Sequence, residues 1–290
     1  MAGKTNIKVD IQDPTYCCDE EVTYTQADAY YGSTTRDLRM NIIYPAATFT
    51  PSGELYEKQY PCVVWICGGG WTVMSKSVHF AYLADLARRG FVVATVDYRL
   101  GHEAPFPGAV LDVKAAIRYL RAHAKRYHIN PEKIGVSGES AGGYLSAMVA
   151  LTKKDAFPSG EFESNCHPEY SSDVQAACAW YLPCDMKRLM RETFRMQFQF
   201  FAGNLDDEQY CRYINPTTYI TPKAPPFLIF HADNDVVVPP LHGDLFYEAL
   251  VANNVDAQMV IVEGGGHGGP RFYQRCIWDM VAKFFTEKLK

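Results

Sequence analysis

Short apolar runs alternate with longer segments of helical periodicity along most of the chain. Apolar runs typical of buried strands lie at 61–70, 91–98, 133–140, 174–182, 226–233 and 257–264. Apolar residues recur at helical spacing at 77–90, 107–127, 141–151, 240–252 and 270–288. Strands that alternate with helices predict an α/β protein, with a mostly parallel central sheet and helices on both of its faces.

The segments outside this alternation are of two kinds. Near 20–25 and 38–44, apolar and polar residues alternate, which predicts a pair of strands forming an antiparallel edge of the sheet. The segments 152–173 and 185–222 fit neither pattern, and we expect them to be small cap insertions over the functional edge of the sheet. No linker or repeat divides the 290 residues, so the sequence predicts a single domain over 1–290.

One serine lies in a glycine-rich segment between a predicted strand and a predicted helix. Gly138-Glu139-Ser140-Ala141-Gly142 matches the pattern G-x-S-x-G. Glycines two residues before and after the serine let strand and helix approach closely, so the serine can occupy a strained turn at the helix N-terminus. The alternative is a serine that only caps the helix. The flanking strand and helix favour Ser140 as a nucleophile.

A second glycine cluster, Gly68-Gly69-Gly70, ends the predicted strand 61–70 and precedes Trp71. Acyl transfer requires hydrogen-bond donors for the oxyanion of its tetrahedral intermediate, and successive glycines leave backbone N–H groups accessible. We therefore predict an oxyanion hole formed by the N–H groups of Gly69, Gly70 and Ala141. A flexible connector is the alternative, whereas a phosphate-binding loop is disfavoured because no Gly-Lys-Ser/Thr follows.

A serine nucleophile requires a base, and the base requires a group that orients it. Asp233 and Asp235 follow an apolar strand, and His267 follows the last predicted strand in a glycine-rich loop. Asp235 is the preferred acid because it lies farther into its loop, which the following Val-Val-Val-Pro can fix, whereas Asp233 is also suited to forming a turn. The order Ser140, Asp235, His267 is the chain order of α/β-hydrolase triads.

Several motifs together resemble one known family. They are GGGW (68–71), DYRL (97–100), EAPFPGAVLDVKAAIRYL (103–120), NPEKIGVSGESAGG (130–143) and HADNDVVVP (231–239). Over roughly residues 38–285, the chain resembles α/β-hydrolase esterases, above all hormone-sensitive-lipase-like carboxylesterases and bacterial acetyl or feruloyl esterases. The family usually carries His-Gly-Gly-Gly, and Cys67 stands in the place of that histidine. We expect a modest effect, because a thiol is a weak hydrogen-bonding group but the backbone N–H groups are retained.

The resemblance implies a serine carboxylesterase that hydrolyses short-chain acyl esters, such as acetyl or feruloyl esters of plant-derived sugars, without a cofactor. Trp71 and His102 are candidate substrate-binding residues. Five further aromatic residues are candidates for an acyl or aryl pocket or, equally, for the core: Tyr181, Phe194, Phe198, Phe200 and Phe201. The alternatives are an amidase or arylformamidase on the same fold, and a non-catalytic hydrolase-fold protein that binds a small ligand. The presence of all three triad candidates disfavours the binding protein.

Charge and cysteine content indicate which kinds of partner and which cellular compartment to expect. The formal net charge is −5 and no basic stripe is present, so we expect a small-molecule ester as partner and no nucleic acid. The chain has no apolar run of about 18 residues and no apolar signal segment at its start, which predicts a cytoplasmic protein with no membrane association. Nine cysteines, without zinc-binding spacing, indicate free thiols in a reducing compartment and no metal site. The oligomeric state, a homodimer included, stays open.

Overall fold

The computed structural model describes residues 3–9, 14–46, 58–153, 162, 166–192, 201, 203 and 205–289. Its centre is an eight-stranded sheet in the spatial order β1-β2-β4-β3-β5-β6-β7-β8. The strands are β1 (Tyr16–Ala29), β2 (Thr34–Pro45), β3 (Tyr60–Ile66), β4 (Val92–Val96), β5 (Ile129–Glu139), β6 (Ala176–Trp180), β7 (Phe227–Ala232) and β8 (Ala257–Val262). Strands β3 to β8 pair in parallel, and β2 runs antiparallel to both β1 and β4. The predicted parallel sheet with an antiparallel edge is confirmed.

Helices cover both faces of the sheet. In the described ranges they are α1 (Phe80–Arg88), α2 (Gly108–Ala122), α3 (Ala141–Leu151), α4 (Met186–Glu192), α5 (Glu208–Ile214), α6 (Leu241–Ala252) and α7 (Arg275–Lys288). One-turn 3₁₀ helices lie at Pro216–Tyr219 and Pro270–Tyr273. Across these ranges, no helix has the length and apolar character needed to cross a bilayer.

The alternation of side chains along β3 divides the core in two. Val64 belongs to the buried cluster that includes apolar side chains of α2, α3 and α6. Val63 and Trp65 belong to the cluster on the opposite face, together with side chains of α1 and α7. Because both faces are covered, the strand is apolar along its whole length, and this is why it reads as a continuous run in the sequence.

The structure corrects some predicted boundaries. The predicted helix 270–288 is divided, because Gln274 has an extended backbone (φ −79°, ψ 152°) between a 3₁₀ turn and α7. Strand β1 has 14 residues, more than the short alternating segment predicted, and it carries polar side chains because it forms a half-exposed edge. Helices α4 and α5 lie within the segment 185–222 that was predicted to form a cap. That the whole chain forms a single domain stays a prediction.

Candidate active site

Ser140 lies at the turn between β5 and α3. Its backbone adopts φ 54° and ψ −119°, a conformation that costs a residue other than glycine roughly 1–3 kcal/mol. The turn is held on both sides: the Ser140 N–H donates to the carbonyl of Trp180 (2.9 Å), and its carbonyl accepts from the N–H of Tyr144 (3.0 Å). The hydroxyl therefore stands at the N-terminus of α3, where the helix dipole favours developing negative charge.

The glycines of the motif allow β3, β5 and α3 to approach each other. A Cβ on Gly138 would lie 2.5 Å from the carbonyl oxygen of Gly142 and 2.6 Å from that of Ile66. A Cβ on Gly142 would overlap the Ile66 carbonyl itself. Because Ile66 is the last residue of β3, these two glycines set the distance between the nucleophile and the glycine loop that follows that strand.

Gly142→Ala is expected to destabilise the fold by about 1–3 kcal/mol, since backbone must shift to admit the methyl group. The same shift moves Ser140 away from the glycine loop, so activity per folded molecule is expected to fall too. Urea unfolding and ester hydrolysis measure the two effects. Gly3→Ala is the control, because a Cβ there meets nothing within 4 Å. Unchanged stability of Gly142→Ala would contradict the packing described here.

Ser140, His267 and Asp235 form a continuous hydrogen-bonded chain. His267 Nε2 lies 2.9 Å from Ser140 Oγ, and His267 Nδ1 lies 2.8 Å from Asp235 Oδ2. The Asp235 carboxyl is fully buried, and the imidazole is 19% exposed. When Nδ1 carries the ring proton and donates a hydrogen bond to the carboxylate, Nε2 is left as the acceptor for the serine hydroxyl. The loops after β5, β7 and β8 thus bring together the three residues predicted to be catalytic.

The loop after β7 holds Asp235 as an ionised carboxylate. Its Oδ1 accepts the backbone N–H groups of Val237 and Val238, each at 2.9 Å. Burial raises the pKa of this carboxyl, but the hydrogen bond and charge of His267, with the two N–H groups, outweigh it and hold the pKa below its ordinary value. His231, buried at the end of β7, donates from Nε2 to the Val238 carbonyl (2.9 Å) and fixes the same loop.

Asp233, the alternative acid, contacts the histidine loop rather than the histidine. Its Oδ1 accepts the N–H of Gly264 at 2.7 Å, and the side-chain oxygen of Asn234 accepts the N–H of Gly266 at 2.7 Å. These two bonds tie the loop after β7 to the loop after β8. They place His267 within reach of both Ser140 and Asp235.

The glycine loop turns sharply as it leaves β3. Gly69, Gly70 and Trp71 have positive φ angles of 121°, 60° and 58°. The carbonyl of Gly69 accepts the N–H groups of Thr72 (3.1 Å) and Val73 (3.2 Å), which closes the turn. Glycine is required at position 69, where a Cβ would overlap the carbonyl of Val73.

The three predicted oxyanion donors have accessible backbone N–H groups. Within the described residues, no protein acceptor is found for the N–H groups of Gly69 or Gly70. Ala141 is the first residue of α3, so its N–H has no acceptor within the helix. Gly70 and Ala141 line the same cavity as Ser140. The arrangement is suited to binding an anionic oxygen beside the serine.

The cavity beside Ser140 is small, at about 20 Å³. It is lined by Gly70, Trp71, Ser140, Ala141, Pro183, Leu189, Val237 and Val238. Trp71, predicted to contact substrate, is 1% exposed, and its ring packs edge-on against Tyr144 and Phe201 at centroid distances of 5.3 and 5.0 Å. Trp71 therefore forms a rigid wall of the cavity, and Phe201 lies behind that wall.

Other aromatic candidates lie elsewhere. His102 is exposed beside Tyr30 and is not among the lining residues, so its substrate-binding role stays a prediction. Tyr181 is buried against the His267 ring (centroid distance 4.8 Å) and does not line the cavity. Phe194, Phe198 and Phe200 lie outside the described residues.

Sequence reasoning missed a polar cluster beneath the site. Glu139 is mostly buried, and its carboxylate is surrounded by polar atoms of Gly68, His79 and Tyr181. The one signal in the sequence is a charged residue inside the G-x-S-x-G motif. A charged side chain next to a nucleophile must be exposed or held by partners, but the pattern does not say which partners.

A larger cavity of about 300 Å³ shares no residue with the triad. It is lined by Thr25, Gln26, Ala27, Arg99, Leu111, Asp112, Ala115 and Cys166. The charge of Arg99 is compensated by Asp112, which it contacts at 2.7 Å. We therefore place the candidate site at the smaller cavity, where the reactive groups converge. Within the described ranges, no group of three or more His, Cys, Asp or Glu residues could hold a metal ion.

Comparison with known proteins identifies the family of the chain. Residues 49–250 match the model of the BD-FAE family. Esterase LipC of Mycobacterium tuberculosis is 30% identical over 223 residues, which are 74% of this chain and 54% of LipC. The chain spans about half the length of the curated relatives it matches.

Two solved structures match a larger share of the chain than the curated relatives do. A truncated carbohydrate esterase from gut microbiota superposes with a TM-score of 0.79 at 26% identity, over 96% of this chain and 99% of that chain. Esterase 2 of Thermogutta terrifontis, phosphoramylated by tabun, superposes with a TM-score of 0.74 at 25% identity, over 97% of both chains. The sheet, the site and the matched family model lead to one conclusion: the chain belongs to the BD-FAE family of α/β-hydrolase esterases.

Proposed function

We propose that this protein is a serine carboxylesterase that hydrolyses short-chain acyl esters through an acyl-enzyme intermediate. The observation that carries the proposal is the hydrogen-bonded chain Ser140–His267–Asp235 beside the N–H groups of Gly70 and Ala141. Covalent modification of the Thermogutta esterase by tabun supports a nucleophilic side chain in this fold. No cofactor enters the proposed reaction.

The proposed reaction has two steps. Ser140 Oγ attacks the ester carbonyl while His267 Nε2 takes its proton, and the carbonyl oxygen becomes an oxyanion bound by the N–H groups of Gly69, Gly70 and Ala141. The protonated His267 then gives its proton to the leaving alcohol. Water, deprotonated by His267, hydrolyses the acyl-enzyme and restores the serine. Asp235 holds the imidazole in the required tautomer and compensates its charge in both steps.

The cavity indicates the size of the acyl group. In the acyl-enzyme, the acyl carbon is bonded to Ser140 and its oxygen lies among the oxyanion donors. The acyl substituent must therefore occupy the space that Ser140, Gly70 and Ala141 share. About 20 Å³ is little more than the space of one water molecule, so a methyl group fits and a feruloyl ring does not. We propose acetyl esters as the substrates.

The alcohol leaves on the side of His267, which is partly exposed. The carbohydrate esterase among the structural neighbours supports a sugar as the alcohol. We propose small acetylated carbohydrates as the substrate class.

The test combines turnover with covalent labelling. Nitrophenyl esters from acetate to decanoate are assayed, and a fluorophosphonate is used to label the protein, with the modified peptide identified by mass spectrometry. We expect acetate to be hydrolysed fastest and Ser140 to carry the label. Hydrolysis of aryl formamides in preference to esters would favour the amidase alternative. A folded protein that neither turns over nor becomes labelled would instead be the small-ligand binding protein.

Leu189→Ala is expected to extend the accepted acyl chain. Leu189 lies in α4, is 2% exposed and forms part of the cavity wall, so its truncation adds space next to the acyl methyl group. One methylene in an apolar pocket changes selectivity by about 10–200-fold. We expect kcat/KM for butyrate relative to acetate to rise at least about 10-fold.

Leu250→Ala is the matched control for this truncation. Leu250 is a fully buried leucine of α6 that does not line the cavity. Truncation of a buried leucine costs about 2–5 kcal/mol of stability, so both variants are expected to be destabilised by a similar amount. Leu250→Ala is expected to leave the ratio of kcat/KM for butyrate to that for acetate unchanged. An equal shift in both variants would mean that loss of packing, and not the cavity wall, governs the acyl length.

A further inference from the structure

Glu139 is an ionisable side chain next to the nucleophile that the triad does not use. Its side chain is 14% exposed, and it lies at the end of β5 between Gly138 and Ser140. A carboxylate in such a position needs partners, because burial of an unpaired charge costs several kcal/mol or more. The identity of those partners indicates what the carboxylate does.

The shortest contact of Glu139 is with the glycine loop. The backbone N–H of Gly68 donates to Glu139 Oε1 at 2.6 Å. Gly68 directly precedes Gly69 and Gly70, and a Cβ at Gly68 would lie 2.6 Å from both the carbonyl oxygen and Oε2 of Glu139. The hydrogen bond therefore joins the residue before the nucleophile to the residue before the oxyanion donors. It fixes the separation between the turn that carries Ser140 and the loop that carries the oxyanion donors.

The carboxylate is itself held by side chains from three further elements. Tyr181 Oη donates to Oε2 at 3.3 Å, and His79 Nε2, just before α1, lies 3.6 Å from Oε1. Tyr273 contacts both, with its hydroxyl 3.2 Å from that of Tyr181 and 3.3 Å from His79 Nε2. The Cys67 thiol also faces Oε1, at 3.7 Å. With so many contacts the carboxylate has little freedom to move.

The charge of Glu139 is retained at neutral pH. Burial raises the pKa of its carboxyl, but the nearby His79 side chain, the Gly68 N–H and the charge of His267 outweigh burial and lower the pKa overall. A charged acceptor makes a shorter and stronger hydrogen bond to a backbone N–H than a neutral acceptor does. The bond to Gly68 is of this kind.

We propose that Glu139 is a positioning residue that holds the glycine loop at Gly68, and thereby sets the oxyanion donors at their distance from Ser140. This inference rests on the proposed esterase function and deepens it. It also gives a loop that begins with Cys67 two points of attachment: the carboxylate binds the Gly68 N–H, and the Tyr98 hydroxyl donates to the Cys67 carbonyl at 2.8 Å.

The test compares Glu139→Ala, which removes the acceptor, with Glu139→Gln, which retains a neutral one. Removal of one oxyanion donor costs about 10²–10³-fold in kcat, and a displacement of about 1 Å costs about 10²-fold. For Glu139→Ala we expect kcat for nitrophenyl acetate to fall about 10–100-fold, with KM within about threefold of wild type. Glu139→Gln, whose neutral amide oxygen makes a weaker hydrogen bond to the Gly68 N–H, is expected to recover part of the loss and to stay measurably below wild type.

A trifluoromethyl ketone distinguishes positioning from general damage to the fold. Ser140 Oγ adds to the ketone carbonyl, its proton passes to His267, and the product is a tetrahedral oxyanion in the hole. We expect the inhibition constant of Glu139→Ala to rise in proportion to its loss of kcat/KM. Glu132→Gln, at an exposed site on the same strand, is the control and should match wild type. Thermal unfolding confirms that each variant is folded.

Three results would overturn the proposal: kcat within twofold of wild type in Glu139→Ala, a loss confined to KM, or unchanged ketone inhibition despite a lower kcat. Should Glu139→Ala not fold, the isosteric Glu139→Gln decides. A measurable fall in its kcat with matching weaker ketone inhibition supports the proposal, and wild-type values overturn it. Failure of the esterase function itself would be recognised separately, because wild type would then hydrolyse no ester.

Discussion

Ser140→Ala is expected to lower kcat for nitrophenyl acetate by at least about 10⁴-fold. The variant retains the hole and the cavity, so some acceleration over the uncatalysed reaction should persist, but no acyl-enzyme can form. Among the described residues, the hydroxyl hydrogen-bonds only to His267, so we expect little stability to depend on it. Steady-state hydrolysis measures the turnover, fluorophosphonate labelling measures the reactivity of the nucleophile, and thermal unfolding measures the stability.

Ser146→Ala is the matched control for the loss of this hydroxyl. Ser146 is a buried serine of α3, the helix that follows Ser140, and its hydroxyl donates to the carbonyl of Gly142 at 2.8 Å. We expect wild-type labelling and nearly wild-type turnover. Residual activity above about 1% in Ser140→Ala would show that another group is the nucleophile.

Asp235→Asn is expected to lower kcat about 10⁴-fold while leaving KM nearly unchanged. The loop decides how the new amide is oriented. The N–H groups of Val237 and Val238 require an oxygen at the Oδ1 position, so the NH₂ group takes the Oδ2 position and faces His267. Nδ1 must then accept, and the ring proton moves to Nε2, where it blocks uptake of the serine proton.

Asp233→Asn separates this tautomer effect from the loss of a charge near the site. The oxygen of the new amide can still accept the Gly264 N–H, and the side chain does not contact His267. We expect at most about a tenfold loss of kcat, because the substitution changes only a hydrogen bond to the loop that carries His267. Comparable losses in both variants would mean that overall charge, and not the tautomer of His267, governs the rate.

The triad could be inferred from the sequence because parallel strands end at one edge of a sheet. Ser140, Asp235 and His267 each lie just beyond the C-terminal end of a parallel strand, so chain order alone brought them to one edge of the sheet. The choice between Asp233 and Asp235 was harder. In the structure, two backbone N–H groups hold the Asp235 carboxylate so that it faces the imidazole. No pattern in the sequence indicates these two hydrogen bonds.

The contacts of Glu139 could not be inferred in the same way. Its partners come from the end of β3, the start of α1 and the end of β6, and Tyr273 of a 3₁₀ turn contacts two of them. The positions of these side chains depend on packing between distant parts of the chain. The predicted bounds of α7 and β1 differed from the observed ones because of features of those two segments. Gln274 is extended although the apolar spacing continues through it, and β1 is polar because one of its sides has no neighbour.

The buried thiol of Cys67 has a consequence for chemical reactivity. Burial, and then the neighbouring charge of Glu139, raise the pKa of this thiol to about 12, so at neutral pH it is protonated and inert toward alkylating and oxidising reagents. Cys17, Cys18 and Cys276 are exposed, and they are the thiols that such reagents meet first. Modification of Cys67 requires its carbonyl to leave Tyr98 and its sulfur to leave the carboxylate. Cys67 is thus a built-in reporter, because its alkylation requires the loop to open.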